Sequence, residues 1–287
     1  MALQGGGGMT RRTIVIGAVV TAIALAGAFS RVTIAHGEAA GEAAGAAATL
    51  PPPQSAGPAS ADPDAMSVPF SVGETAQYDV KFGAIRVGSA STVVNQMEQI
   101  RGRTAWHTQF RIKGGTFFYH VDDLFESWID KDTFSSLRFY QTQQEGSNDR
   151  AKRYEIFPDE QKYIEMDKKP PREHPGVKDP LDDGSFLFFV RTVDLAVGKT
   201  YESNRYFRPE ANPVRIRVVR TEQIEVPAGK FDCIVVQPVI KTKGIFSENG
   251  NAEVWLTNDP RHIVVQLKSK LSFGSINLYL KSYKPGA

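Results

Sequence analysis

Residues Phe70–Val94 read FSVGETAQYDVKFGAIRVGSASTVV. Apolar and polar residues alternate on both sides of Gly83-Ala84, the pattern of a half-buried antiparallel hairpin. Glycine at the first central position marks a type II′ turn, because that position needs φ > 0. About this turn Phe82 faces Ile85, Val80 faces Val87 and Tyr78 faces Ser89 on one side of the ribbon. Lys81 with Arg86, Gln77 with Ala90 and Thr75 with Thr92 take the other side. Gly88 then stands opposite Asp79, where a missing side chain permits a close approach or a bulge.

The same habit runs through the chain. Val214, Ile216 and Val218 alternate with Arg215 and Arg217, and Val226-Pro227-Ala228-Gly229 fits a type I turn before the strand Phe231–Val236. Asn249-Gly250 is a hairpin signal leading into AEVWLTND. Asn258-Asp259-Pro260 turns the chain into HIVVQLKSK, and Phe273-Gly274 divides that from SINLYLKSY. Earlier come TAWHTQFRIK, HVDDLFESWID, SSLRFYQTQ, KRYEIF and QKYIEM. About a dozen short strands predict an all-β, mainly antiparallel fold, with curved sheets forming a sandwich or open barrel and one or two short helices. Residues 168–184, KKPPREHPGVKDPLDDG, read as a proline-rich loop. SFLFFVRTV after it fits either a buried strand or a short helix capped by Asp183 or Ser185, since periodicity does not separate the two. Val197-Gly198-Lys199-Thr200 echoes Val72-Gly73-Glu74-Thr75, each at the head of a strand series, a hint of two related halves.

The N-terminal part is of another kind. From Met9 the chain reads MTRRTIVIGAVVTAIALAGAFS: two arginines, an apolar run from Ile14 to Leu25, then Ala26-Gly27-Ala28. That is the order of a secretory signal peptide, and the run is shorter than the roughly 20 residues a spanning helix needs. Residues 1–28 are therefore expected to be a cleaved leader, with Met9 as a possible true start. Ile14 and Val15 after the arginine pair favour ordinary unfolded export over the twin-arginine route. Residues 29–66, rich in Ala, Gly, Pro and Ser, read as a disordered tether, and 67–287 as one β-rich domain. The formal charge of +2 comes from 34 basic and 32 acidic residues. Loss of Arg11 and Arg12 with the leader makes the remainder neutral, which argues against nucleic acid.

FSVGETAQYDVKFGAIRVGSA, DPLDDGSFLFFVRTVDLAVGKTY, VPAGKFDCIVVQP and AEVWLTNDPRHIVVQLKSKLSFGSINLYL, in this order over about residues 70 to 283, resemble DUF3108, a family of exported bacterial proteins of unknown function. The resemblance implies an exported β-rich domain with a short helix at SFLFFVR. It brings no catalytic or binding residues with it.

Residue patterns for chemistry are sparse. No G-x-S-x-G elbow, phosphate loop or zinc spacing occurs. Cys233 lies in an alternating strand and reads as a buried, inert thiol. His120-Val121-Asp122-Asp123 is the one local His-carboxylate cluster, more in keeping with a solvated turn than with a metal site. Asp182-Asp183 reads as a helix cap rather than an acid–base pair. The aromatic residues are the larger excess, and they either fill the space between sheets or line a concave mouth for a lipid or acyl chain. On the second view Phe117, Phe118, Trp128, Phe186, Phe189 and Trp255 form the lining, SFLFFVR is a plug, and Arg191 receives an anionic head group. The leading expectation is a non-enzymatic periplasmic or envelope module that binds or carries an apolar ligand or envelope component. A structural module docking an envelope protein comes second and an enzyme third. No cofactor, nucleic acid or transmembrane segment of the processed chain is expected.

Overall fold

The computed structural model describes residues 67–116, 119–241, 252–271 and 274–287. The expected leader, the tether and the Asn249-Gly250 turn lie outside the described residues, as do Phe117, Phe118 and Phe273. Fourteen strands are described, and they form one antiparallel sheet. The first meander runs through β1 (Thr75–Phe82), β2 (Ile85–Ile100), β3 (Arg103–Thr116), β4 (Tyr119–Asp130), β5 (Ser136–Glu145), β6 (Asn148–Phe157), β7 (Lys162–Glu165) and β8 (Arg172–Pro175). The second runs through β9 (Thr200–Ser203), β10 (Val214–Val226), β11 (Gly229–Val239), β12 (Glu253–Thr257), β13 (Val264–Leu271) and β14 (Gly274–Lys284). Pairing of β1 with β14 joins the two, so β8 and β9 are the edges. The segment between them carries α1 (Ser185–Phe189) and a 3-10 turn, Val190–Thr192. The expected mainly antiparallel fold with a short helix is thus the one adopted, as an open sheet. Among the described residues no helix is long and apolar enough to cross a membrane.

One face of the sheet closes on itself. A single apolar cluster takes Tyr78, Trp106, Phe139 and Tyr154 from the first meander, Val218, Val235, Leu267 and Leu280 from the second, and Phe186 to Phe188 from α1. The sheet therefore curls round one interior, as strand twist favours. The edges are not laddered to each other. Beside them a parallel bridge joins Leu181 to Tyr206, with the Leu181 N–H donating to Arg205 O and the Phe207 N–H to Leu181 O. The proline-rich stretch is not all loop, for it contains β8, an edge strand where Pro175 removes no bond from a central ladder.

The opening hairpin keeps its turn and changes its register. Phe82 pairs with Ile85 and Lys81 with Arg86, and Gly83 has φ 57° with no positive φ at Ala84. Beyond Lys81 a bulge intervenes, so Gly88 meets Val80, Ala90 meets Tyr78 and Ser91 meets Gln77. A one-residue slip turns every following side chain to the other face. Here it sends Ala90 inward with Tyr78 and leaves Ser89 and Ser91 outside. The slip is set by β3: Gly88 lies opposite Gly114, and a Cβ on Gly88 would stand 2.2 Å from Lys113 O.

The two Val-Gly-x-Thr sequences build the same turn. Gly73 has φ 89° and donates to Val94 O, while Gly198 has φ 86° and donates to Val218 O. Val94 N–H returns to Glu74 O at 3.0 Å, and Val218 N–H to Lys199 O at 2.9 Å. Each turn thus starts its meander by hooking onto the second strand of its own half.

Candidate functional site

α1 is too short to be stable alone and is held by what surrounds it. Phe186, Leu187, Phe188 and Val190 are buried inside the curled sheet, each worth about 1.5–3 kcal/mol of apolar burial. Asp182 caps the helix start: its Oδ1 accepts from the N–H groups of Gly184 and Ser185, both at 2.8 Å, and from Ser127 Oγ at 2.6 Å. Ser185 Oγ bonds Ser136 Oγ at 2.9 Å. Burial pushes the Asp182 carboxyl up to about 6, against the opposing donors Ser127 and Ser185. The neighbouring Asp183 accepts from the Tyr206 hydroxyl at 2.9 Å. The helix entry is thus held by Asp182 rather than by the expected Asp183 or Ser185, and Asp183 is tied to Tyr206 instead.

The far end of the segment is held by an ion pair. Arg191 Nη1 and Nη2 reach the two carboxylate oxygens of Glu74 at 2.6 and 3.1 Å. The side chains are only 6% and 5% exposed. Arg191 also donates to Pro69 O and Arg261 O, and the Tyr283 hydroxyl donates to Glu74 Oε2 at 2.8 Å. Burial, with the Glu74 charge beside it, raises the Tyr283 phenol above its ordinary value. Next to this pair lies a cavity of about 20 Å³ bounded by Ala76, Tyr78, Phe110, Leu187, Phe188 and Leu267 among others. That volume holds about one water and no acyl chain.

A second polar group faces the interior on β4 and β5. Asp123 is fully buried opposite Gln143, and Glu145 follows on the same inward row. Neither oxygen of Asp123 nor the Nε2 of Gln143 has a hydrogen-bond partner among the described residues. Burial and then the Glu145 carboxylate push Asp123 up to about 8, while the nearby Gln144 N–H opposes this without closing a bond. The folded protein thus keeps a proton that the unfolded chain releases near its ordinary value of 3.8. Stability accordingly falls as pH rises from about 4 to about 8, by at most about 1.4 kcal/mol per unit for this group. Asp182 adds to the fall only up to about pH 6. Asp123→Asn is therefore expected to flatten the curve between about pH 6 and pH 8, as read by urea unfolding. An unchanged slope there would show that Asp123 ionises freely in the fold.

The expected aromatic lining is redistributed. Phe186 is inside, and Phe189 sits at the rim, 5.8 Å from Phe134 and beneath the Arg205 guanidinium. Phe117 and Phe118 lie outside the described residues. Trp128 belongs to a separate small cluster with Ile100, Ala105 and Leu137 and stacks on His107 at 4.4 Å. Alternation puts it on the face opposite Ser127 and Ile129. Trp255 is covered by Arg220 and Lys268, and its N–H donates to Glu222. Trp128 thus stands outside the main apolar cluster, whereas Trp255, 2% exposed, belongs to it beside Val235. Arg191, expected to receive a head group, is instead engaged by Glu74 and backbone carbonyls. Sequence reasoning missed Phe70, Trp106 and Phe134, whose rings pack with one another and with Phe188 of α1 at 5.4 to 6.3 Å. Alternation in TAWHTQFRIK was the available signal for Trp106. The His120–Asp123 stretch is strand, not turn, and alternation sends Asp122 to Arg111 outside and Asp123 inside. Among the described residues no cluster of His, Cys, Asp and Glu could hold a metal. Burial pushes the Cys233 thiol up to about 12, so it is a poor nucleophile.

The profile of the family described as "Protein of unknown function (DUF3108)" matches residues 77–281. No curated protein matches the chain. Among solved structures, a β-barrel-like protein of the domain of unknown function DUF1849 from Brucella abortus is similar at a TM-score of 0.52 and 12% identity, over 76% of this chain and 99% of that one. A protein of YmcC-like fold from Bacteroides fragilis aligns over 77% of this chain and 99% of that chain, at a TM-score of 0.30 and 12% identity. The first likeness concerns the fold alone: a long antiparallel sheet curled toward a barrel. On the match over residues 77–281, the chain belongs to the DUF3108 family of proteins of unknown function.

Proposed function

We propose that this protein is an exported, non-enzymatic binding module that takes an apolar ligand into the curled sheet, where α1 is the occupant the ligand replaces. One observation carries the proposal: α1 fills the interior without joining the ladder. It is attached by its buried side chains, the Asp182 cap and the Arg191–Glu74 pair, and the cavity beneath it has Leu187 and Phe188 as walls. Four buried side chains and an acyl chain of about a dozen methylenes, at about 0.8 kcal/mol each, are of comparable worth. The exchange is therefore near balance, as a carrier requires. The arginine pair, the apolar run and the small residues in the first 28 positions support export. Docking of a protein partner has less support, because the exposed large apolar residues Ile85, Met97, Met166 and Val197 are scattered. Titrating the purified protein with a fluorescent fatty-acyl probe is the test. One site per chain, competed by unlabelled fatty acid, is expected; absence of saturable binding would refute the proposal.

A further inference from the structure

We propose that the outer face of the sheet carries an anion site for a phosphate-bearing ligand, in a groove of about 250 Å³ over strands β14, β1, β2 and β3. Its shape follows from side-chain length. Ser89 and Ser91, turned outward by the register slip in β2, form a low floor, with Gln77 and Asp79 opposite them on β1. Arg111 and Lys113, opposite the two serines on β3, make one wall, and Lys281 on β14 makes the other. Arg86 closes one end. Bulges interrupt the pairing of β1 with both of its neighbours, between Val80 and Lys81 on the β2 side and between Gln77 and Tyr78 on the β14 side. The second leaves Lys281 as the extra residue, and bulges re-aim side chains in this way beside functional sites.

The charge is unbalanced. Arg86 Nε lies 3.0 Å from Asp79, Arg111 grips Asp122 at 2.7 and 2.6 Å, and Lys113 reaches the same Asp122 at 3.3 Å. Lys281 has no ion pair among the described residues. Four cations thus share two carboxylates, a surplus of two positive charges. Asp122 anchors Arg111 and Lys113 so that little is lost in ordering them when a ligand arrives. Guanidinium and ammonium donors with serine hydroxyls around an open groove suit the several acceptor oxygens of a phosphate group. Nothing in the site depends on the interior accepting an apolar ligand, so each stands without the other.

The purified protein would be titrated calorimetrically with inorganic pyrophosphate, and separately co-sedimented with phosphatidylcholine vesicles with and without phosphatidylglycerol. Binding to pyrophosphate, or to the phosphatidylglycerol vesicles alone, is expected. The first points to a free phosphorylated solute and the second to a lipid head group. Arg86→Gln/Lys281→Gln should weaken that binding about tenfold or more, by loss of two charge-assisted donors. Lys281→Gln alone, an exposed single change, should weaken it in the same direction, while Lys230→Gln on β11 should leave it unchanged. Failure of both phosphate sources to bind, or equal binding by the groove variants and the unaltered protein, would overturn the site.

Discussion

Arg191→Met is expected to remove about 3–5 kcal/mol of stability, because it leaves the Glu74 carboxylate buried with only the Tyr283 hydroxyl beside it. Against a total of about 5–15 kcal/mol for an ordinary domain, that is a large share. Glu74→Gln/Arg191→Met, which removes both charges and keeps most of the volume, should recover most of the loss. Urea unfolding of the two single variants and the double variant separates the alternatives. A double variant as unstable as Arg191→Met would mean that the arginine acts through packing on Phe70, 5.5 Å away, rather than through charge. The pair matters for the fold because it ties the end of the α1 segment to the first turn of the sheet, across 117 residues of chain.

Gly88→Ala is expected to cost about 3 kcal/mol or more, at the upper end for overpacking, because the new methyl meets backbone on β3. Its Cβ would lie 2.2 Å from Lys113 O and 2.8 Å from the Cα of Gly114, and main chain cannot rotate aside. Ser89→Ala, next to it and pointing out, should stay within about 0.5 kcal/mol of the unaltered protein. Soluble yield and denaturation midpoint are the readouts. A Gly88→Ala protein of normal stability would show that β2 and β3 approach less closely than the Gly88–Gly114 pair indicates.

These two sites also mark where sequence reasoning stopped. The turn at Gly83-Ala84 was legible because the glycine requirement is local. Gly88 was legible as a place for a close approach or a bulge, but the slipped register was not, since it depends on a contact with Gly114 that no local pattern records. Alternation assigned residues of β4 to two faces. Its inward row is Val121, Asp123, Phe125, Ser127 and Ile129 and its outward row is mostly polar, so polarity identifies the core face but not the places of Asp123 inside and Leu124 and Trp128 outside. The Val-Gly-x-Thr echo was only four letters long, yet both copies make the same glycine turn and the same pair of bonds to the next strand. Arg191 stood out in sequence as a charge ending an apolar run. That its partner would be Glu74 was not legible, because curling of the sheet alone brings them together. The short helix was one of two readings of an apolar run. It is settled in space by the Asp182 cap and by the absence of a strand partner.

Exchange of α1 for ligand can be tested by fastening the helix. An ideal Cβ at Gly184 lies 3.7 Å from Phe125 Cβ, close to the separation of about 3.8 Å found in disulfides. Two atoms lie nearer: Ser127 Oγ at 2.6 Å, which Ser127→Ala removes, and Asp182 Oδ1 at 3.4 Å, an ordinary van der Waals contact. In Phe125→Cys/Ser127→Ala/Gly184→Cys, oxidation would pin the start of α1 to β4 and reduction would free it. The decisive measurement is binding of the fluorescent acyl probe by this one protein in both redox states. The account predicts binding when reduced and little or none when oxidised. Equal binding in both states would contradict it, and would place any apolar ligand somewhere other than the space α1 occupies.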